Sequence, residues 1–317
     1  MFAFRPRCFC FAAAGRIDPD APPAPGRGNA HGNDTRENRG GGRIFDELEK
    51  VFYMIRLIVS DIDGTLLPYG QAELEPELFL LIRRLRERGV VFCPASGRQY
   101  HSLRALFRPV CDELAYICEN GSIVFGPGPE DGAEVLGKTV IERAKAVELA
   151  HDILALPGCR LLISGANTSY IPEGDPWYEN FMHESKGNNV ALIARPEDVP
   201  EDIIKLAAYC PEGTSPCRHA LAPKWEGVLS VASAGPDWVD FNLADKASGL
   251  ETLCAALGIG LRDTAAFGDN WNDAPMLRLA GRGCIMSTSD PALRGQFALQ
   301  CPNVLRVLEN FLETGEI

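Results

Sequence analysis

No stretch of this 317-residue chain is apolar for the ~20 residues that a membrane span requires. Positive charge is also in short supply. The 31 Lys and Arg against 43 Asp and Glu leave a formal net charge of -12, which argues against nucleic acid as a main partner, because phosphate backbones select basic surfaces. The deficit does not exclude a small anionic partner, since one metal ion or one lysine reverses a field locally. Cysteine is present but lacks pattern. The 11 cysteines are odd in number and scattered, no two CxxC pairs mark zinc, and Cys8-Phe9-Cys10 alone is a weak signal. Cys93, Cys118 and Cys284 lie in apolar stretches and read as small core residues. The expected compartment is a reducing cytosol. His101, His151 and His219 show no ligand spacing, and no internal repeat is found. A hydrophobic content of 46% and a charged content of 23% are ordinary for a globular chain, long enough for one large domain or two modest ones.

Residues 1–53 differ from the rest. Arg5 and Arg7 precede a short Cys-Phe-Cys-Phe-Ala-Ala-Ala run, but neither the apolar region nor the cleavage site of a signal peptide develops. Residues 18–43 are rich in Pro, Gly, Asn and Arg and read as disordered, and residues 44–53 hold one or two helical turns. Met54 is expected to be the biological start. Any peptide upstream of Met54 in a mass spectrum of the native protein would contradict that.

The folded part opens on Leu57-Ile58-Val59-Ser60, a run suited to a strand buried on both faces, which ends in Asp61-Ile62-Asp63-Gly64-Thr65. Helical spacing over Leu74–Leu85, a strand at 90–93 leading into Ala95-Ser96-Gly97-Arg98, a helix at 100–107 and a strand at 115–118 leading into Glu119-Asn120-Gly121 give β-α-β-α-β, the order of a parallel sheet. The pattern then changes. A hairpin (122–125 and 134–136), helices at 141–156, 177–183 and 198–210, and strands at 160–163, 169–171, 189–194, 228–232 and 238–243 suggest an inserted α+β module. From Asp245 the alternation resumes, with helices at 246–257, 274–280, 291–298 and 304–312 and strands at 265–267 and 283–286.

Four stations lie where strands end or helices begin: Asp61/Asp63, Ser96, Lys246 and Asp269/Asp273. In an open parallel sheet these converge on one edge, where ligands bind. Two acids two residues apart repel each other and call for a cation. Hard carboxylate oxygens suit Mg2+, which keeps waters and is completed by a substrate phosphate. A hydroxyl and an ammonium group can hold the other phosphate oxygens. A carboxylate can carry a phosphoryl group, and a second one at Asp63 can move protons.

Asp61-Ile-Asp-Gly-Thr, Ala95-Ser96-Gly97-Arg98, Lys246 and Gly268-Asp269-Asn-Trp-Asn272-Asp273 resemble the four ordered motifs of the haloacid dehalogenase-like (HAD) superfamily, and with Glu119-Asn120-Gly121 more narrowly its Cof-type phosphatases with a C2 cap. The resemblance runs from about Met54 to the C-terminus. It implies a doubly wound α/β core in two segments, 54–121 and 244–317, around an α+β C2 cap at 122–243. It implies a Mg2+-dependent cytoplasmic phosphatase of small phosphorylated metabolites such as sugar phosphates. Asp61 would be nucleophile and metal ligand. Asp63 would be the general acid and base and a ligand through its carbonyl. Ser96 and the backbone at Gly97 would hold phosphate, and Lys246 would neutralise charge. Asp269 would bind metal directly, Asn272 would contact phosphate, and Asp273 would orient the metal shell or Lys246. One departure stands out: the family commonly has Lys-Gly at the third motif, and this chain has Lys246-Ala247-Ser248-Gly249.

Each residue also has a plainer reading. Asp-Gly is a common turn, Ser96-Gly97 an ordinary cap, Lys246 a solvated lysine and Asp273 a first-turn helix acid. Their joint order outweighs these. Asn120 serves equally as a substrate contact or a turn residue. Trp177, Tyr178, Phe181 and His183 read first as cap core. A phosphomutase or other phosphotransferase of the same fold, or a regulatory protein that binds phosphate without turnover, remain the alternatives; the intact Asp63 argues against the second. Caps set substrate choice by shape, so the motif residues name neither a substrate nor an oligomeric state.

Overall fold

The structure is a computed structural model and describes residues 54–317; the extension read over residues 1–53, including its helical turns, lies outside the described residues. The strands in chain order are β1 (Leu57–Ser60), β2 (Val91–Pro94), β3 (Tyr116–Cys118), β4 (Ile123–Phe125), β5 (Val135–Lys138), β6 (Arg160–Ser164), β7 (Ser169–Pro172), β8 (Val190–Ile193), β9 (Lys205–Tyr209), β10 (Ser230–Ser233), β11 (Trp238–Asn242), β12 (Thr264–Gly268), β13 (Arg282–Met286) and β14 (Leu299–Cys301). A five-stranded parallel sheet has the order β14-β13-β12-β1-β2. Every residue of β1 is buried, as a central parallel strand covered on both faces demands. On one face lies the helix Pro76–Glu87, which buries Leu78, Leu81, Ile82 and Leu85. On the other lies the helix Lys246–Leu257, which contributes Leu250 and Leu253 to a separate core.

β3 differs from its expected place. It touches the parallel sheet through one bridge, Ala95 to Ile117, and pairs instead with the antiparallel hairpin β4-β5. That hairpin packs on the helix Lys246–Leu257, with Val124 in the same core cluster.

A six-stranded sheet, β10-β11-β9-β6-β7-β8, forms the inserted unit. The helices Arg143–Leu154 and Ser215–Trp225 cover one face. The expected helix at 198–210 is wrong: residues 205–209 form β9, the strand between β6 and β11. Ile203-Ile204-Lys205-Leu206-Ala207-Ala208-Tyr209 is a continuous apolar run apart from its lysine, and such a run fits a buried strand as well as a buried helix. All five residues of β9 are buried, which is why it does not alternate. The helix Ser215–Trp225 had no counterpart in the sequence reading, because Pro216, Pro223, Arg218 and His219 blur its apolar stripe. No helix among the described residues is long and apolar enough to cross a membrane.

The third station starts its helix by capping. Asp245 accepts a hydrogen bond from Ser248 N at 2.8 Å, and Asp245 N donates to Ser248 Oγ at 3.0 Å. The glycine of this station sits at Gly249, where a Cβ would fall 2.6 Å from Ile117 and 3.0 Å from the Cα of Gly121. Gly121 itself has φ +94, and a Cβ there would fall 1.9 Å from the Asp245 carbonyl oxygen. The helix bearing Lys246 therefore reaches the site only because both glycines are bare.

Gly121→Ala is expected to destabilise the fold by about 3 kcal/mol, combining a left-handed backbone with an unavoidable clash. Gly258→Ala, at φ +62 with nothing within 4 Å, is expected to lose only about 1 kcal/mol. Urea unfolding midpoints compare the two; equal losses would contradict this account of the helix approach.

Candidate active site

Parallel register places the stations together. Ser60 is level with Phe267 on one side and with Pro94 on the other. One step further, Asp61 N donates to the Phe267 carbonyl at 2.9 Å and Ala95 N to the Ser60 carbonyl at 2.8 Å. Asp61, Ser96 and Asp269 thus leave three adjacent strands at the same edge.

At the centre is the buried ammonium of Lys246. Its Nζ donates to Asp61 Oδ1 at 2.5 Å and to Asp273 Oδ1 at 2.6 Å. The second oxygen of Asp273 accepts from the backbone N–H groups of Asp269 and Asn270, each at 3.0 Å. Asp273 is therefore fully engaged: it orients Lys246 and shapes the fourth loop. Burial alone pulls the lysine pKa down, but the carboxylates of Asp273 and Asp61 outweigh it and hold it above the ordinary lysine value. Burial pushes the Asp61 carboxyl up, the charge of Asp273 adds to the rise, and Lys246 opposes it. Asp269 is pushed up as well, by burial and then by Asp273.

Carboxylate oxygens of Asp61, Asp269 and Asp273 lie within 4.8 Å of one another. Three carboxylates face one ammonium, a deficit of two positive charges. Asp61 Oδ2 is buried without a hydrogen-bond partner among the described residues. Among the described residues, the hydrogen-bond donors to the Asp269 carboxylate are neutral hydroxyls, Tyr69 at 3.1 Å and Thr65 at 3.4 Å. The residues fit a divalent cation with hard oxygen ligands, held by Asp61 and Asp269. Gly64 makes this approach possible: its φ is +95, and a Cβ there would lie 2.2 Å from Asp269 Oδ2.

Asp63 does not join this cluster. Its two oxygens accept from Arg98 Nε at 3.0 Å and Arg98 Nη2 at 2.6 Å, a bidentate pair. Ser96 is buried, and its hydroxyl accepts from Arg98 N at 3.2 Å, a local turn contact; the next helix starts at Tyr100 behind Gln99, so Ser96 does not cap it. The amide of Asn120 packs on Gly97 and donates to Asp240 of the inserted unit at 2.8 Å. Asn272 is exposed on the loop between Asp269 and Asp273.

A second charged cluster joins the two units, and the sequence reading missed it. Lys205 of β9 is buried; its Nζ lies 2.5 Å from Glu119 and 3.7 Å from Asp240, and donates to the Gly97 carbonyl at 3.0 Å. Burial would lower its pKa, but Asp240 and Glu119 raise it to about 12. Glu119 and Asn120 have φ of 50 and 57, left-handed values that non-glycine residues adopt at a cost. The contacts to Lys205 and Asp240 hold them there. Gln99 adds bonds to Ser169 and Asn189. The signal in the sequence was a single lysine inside an apolar run.

Trp177, Phe181, Tyr209 and Trp238 stack beside the buried Tyr178, and Arg160 lies 4.9 Å over Trp177. Trp177 is 53% exposed, so this cluster is only partly core.

Lys205→Met is expected to destabilise the protein by about 3–5 kcal/mol in chemical denaturation, because it strands two buried carboxylates. Adding Glu119→Gln should recover part of that loss. Additive losses in the double variant would count against the ion-pair account.

A family model described as haloacid dehalogenase-like hydrolase matches residues 58–303. The chain is 24% identical over 242 residues to a 5-amino-6-(5-phospho-D-ribitylamino)uracil phosphatase of Escherichia coli, covering 75% of this chain and 88% of that protein. It is 25% identical over 250 residues to a pyridoxal phosphate phosphatase of the same organism, covering 76% and 91%. A solved haloacid dehalogenase-like hydrolase from Bacteroides thetaiotaomicron superposes with a TM-score of 0.68 at 19% identity, covering 81% of this chain and 99% of that one, and shows the same fold.

Proposed function

The chain belongs to the haloacid dehalogenase-like hydrolases, and from that premise we propose that it is a Mg2+-dependent phosphatase of small phosphorylated metabolites, working through a phosphoryl group carried on Asp61. The observation that carries this reading is the buried Lys246 shared by Asp61 and Asp273 beside Asp269. A cluster with two positive charges too few favours uptake of a cation. A phosphate dianion then meets a field arranged for it.

The core segments are 54–121 and 244–317, and the insertion 122–243 supplies the cap. Mg2+ held by Asp61 and Asp269, with the Asp63 carbonyl as a further ligand, would offset charge on the phosphate oxygens. Asp61 attacks phosphorus. Lys246 keeps one of its oxygens in place and stabilises charge on the transferring group. Ser96, Asn272 and the backbone at Gly97 hold the remaining phosphate oxygens. Asp63 protonates the leaving oxygen, then takes a proton from the water that releases phosphate. Both of its oxygens are engaged by Arg98, and an arriving phosphate is the competing anion that draws Arg98 away. The cap excludes bulk water from these contacts. The phosphatase activities named for the relatives support small monoesters as the substrate class, and the unpaired cysteines of the described residues suit a reducing cytosol.

With an aryl phosphate, the wild type should release phosphate only with Mg2+. EDTA should abolish release and added Mg2+ restore it. Asp61→Asn and Asp63→Asn should each lose about 10³-fold or more in kcat. Metal-independent release, or release that survives Asp61→Asn, would contradict the proposal.

A further inference from the structure

Cys159, Cys210 and Cys217 bring their sulfurs within 4.8 Å of one another, with Cys159 Sγ 3.5 Å from Cys210 Sγ. The fold makes this grouping, since the three come from separate elements. Cys159 immediately precedes β6 and Cys210 immediately follows β9. Because Arg160 pairs with Tyr209, the two cysteines meet one step beyond the last rung of the ladder. Cys217 enters from the first turn of the helix Ser215–Trp225, on the helix-covered face of the same sheet. Lys205 lies five positions before Cys210, so the alternation of a strand points the two to opposite faces, roughly 15 Å apart along the chain. The trio is thus remote from the phosphate site.

Small-residue packing accounts for a buried thiol, but not for the convergence of three. Nine free cysteines are found among the described residues, and three of them form this single group. Thiolates bound to zinc at about 2.3 Å stand about 3.8 Å apart in a tetrahedron and about 4 Å apart in a trigonal plane. The sulfurs here are close to that spacing, with one pair at 3.5 Å and all three within 4.8 Å of one another. Cys210 and Cys217 are buried, while Cys159 is partly exposed and offers a route in. Cys217 sits in the first turn of the helix Ser215–Trp225, where the positive end of the helix dipole lies.

We propose that Cys159, Cys210 and Cys217 form a thiolate site for one soft d10 cation, Cu(I) or Zn(II), which pins the helix Ser215–Trp225 to the ends of β6 and β9. Soft sulfur ligands select these ions, whereas the carboxylates of the other site select Mg2+. No fourth His, Cys, Asp or Glu joins the group among the described residues, which favours three-coordinate Cu(I); Zn(II) would take a water as its fourth ligand. Burial pushes the Cys210 and Cys217 thiols up, so binding must displace their protons into solvent.

The test uses reduced full-length protein and a Cys8→Ser/Cys10→Ser variant, which removes the other closely spaced pair. Each is titrated with Cu(I) against a chromophoric chelator and, separately, with Co2+ as a spectroscopic stand-in for Zn(II). One equivalent should bind to both proteins with a sulfur-to-metal charge-transfer band. Affinity should fall at least tenfold in Cys159→Ser and in Cys217→Ala, and stay unchanged in Cys111→Ser. In a readout that needs no variant, one equivalent of cation should slow alkylation of Cys159 at least tenfold in the wild type. Failure of the Cys8→Ser/Cys10→Ser protein to bind, binding that survives both trio substitutions, or unprotected Cys159 in the loaded wild type would each overturn the proposal.

Discussion

Everything at the catalytic edge depends on one buried ammonium. Lys246 lies between Asp61 and Asp273 with almost no exposure. Taking these charges out of water is unfavourable, and the close ion pairs offset it only while all partners are in place. That constraint reaches outward. The helix bearing Lys246 must approach closely, which requires Gly121 and Gly249. Asp273 must hold its own loop through Asp269 and Asn270, which positions Asp269. A residual negative charge remains after these pairings, and it defines what the site takes up.

The contact between the two units follows the same logic with different residues. Lys205 gathers Glu119, Asp240 and the Gly97 carbonyl into one buried cluster. The two left-handed residues at the crossing, Glu119 and Asn120, are held by bonds to the inserted unit. The loop that carries Ser96 and Gly97 is therefore positioned partly by the cap.

Much of the core was legible because its information is local. Asp61, Lys246, Asp269 and Asp273 each sit at the boundary between an apolar run and a polar turn, and the parallel register then aligns them without further instruction. The inserted unit was less legible. Its central strand β9 is apolar on both faces, which erases the alternation that marks a strand. Mistaking it for a helix hid Lys205, whose partners lie in other parts of the chain. The pairing of Asp63 with Arg98 and the meeting of Cys159, Cys210 and Cys217 were hidden for the same reason. They depend on register and packing between distant segments, which no spacing within one segment encodes.

The phosphoryl group proposed on Asp61 is directly observable. The direct measurement is the mass of acid-quenched protein taken during steady turnover of an aryl phosphate with Mg2+, followed by peptide mapping. The account predicts a fraction of the chain heavier by one phosphoryl group, placed on the peptide that contains Asp61 and absent in Asp61→Asn. Rapid turnover with no modified peptide at any quench time, or a phosphoryl group mapped to another residue, would contradict it.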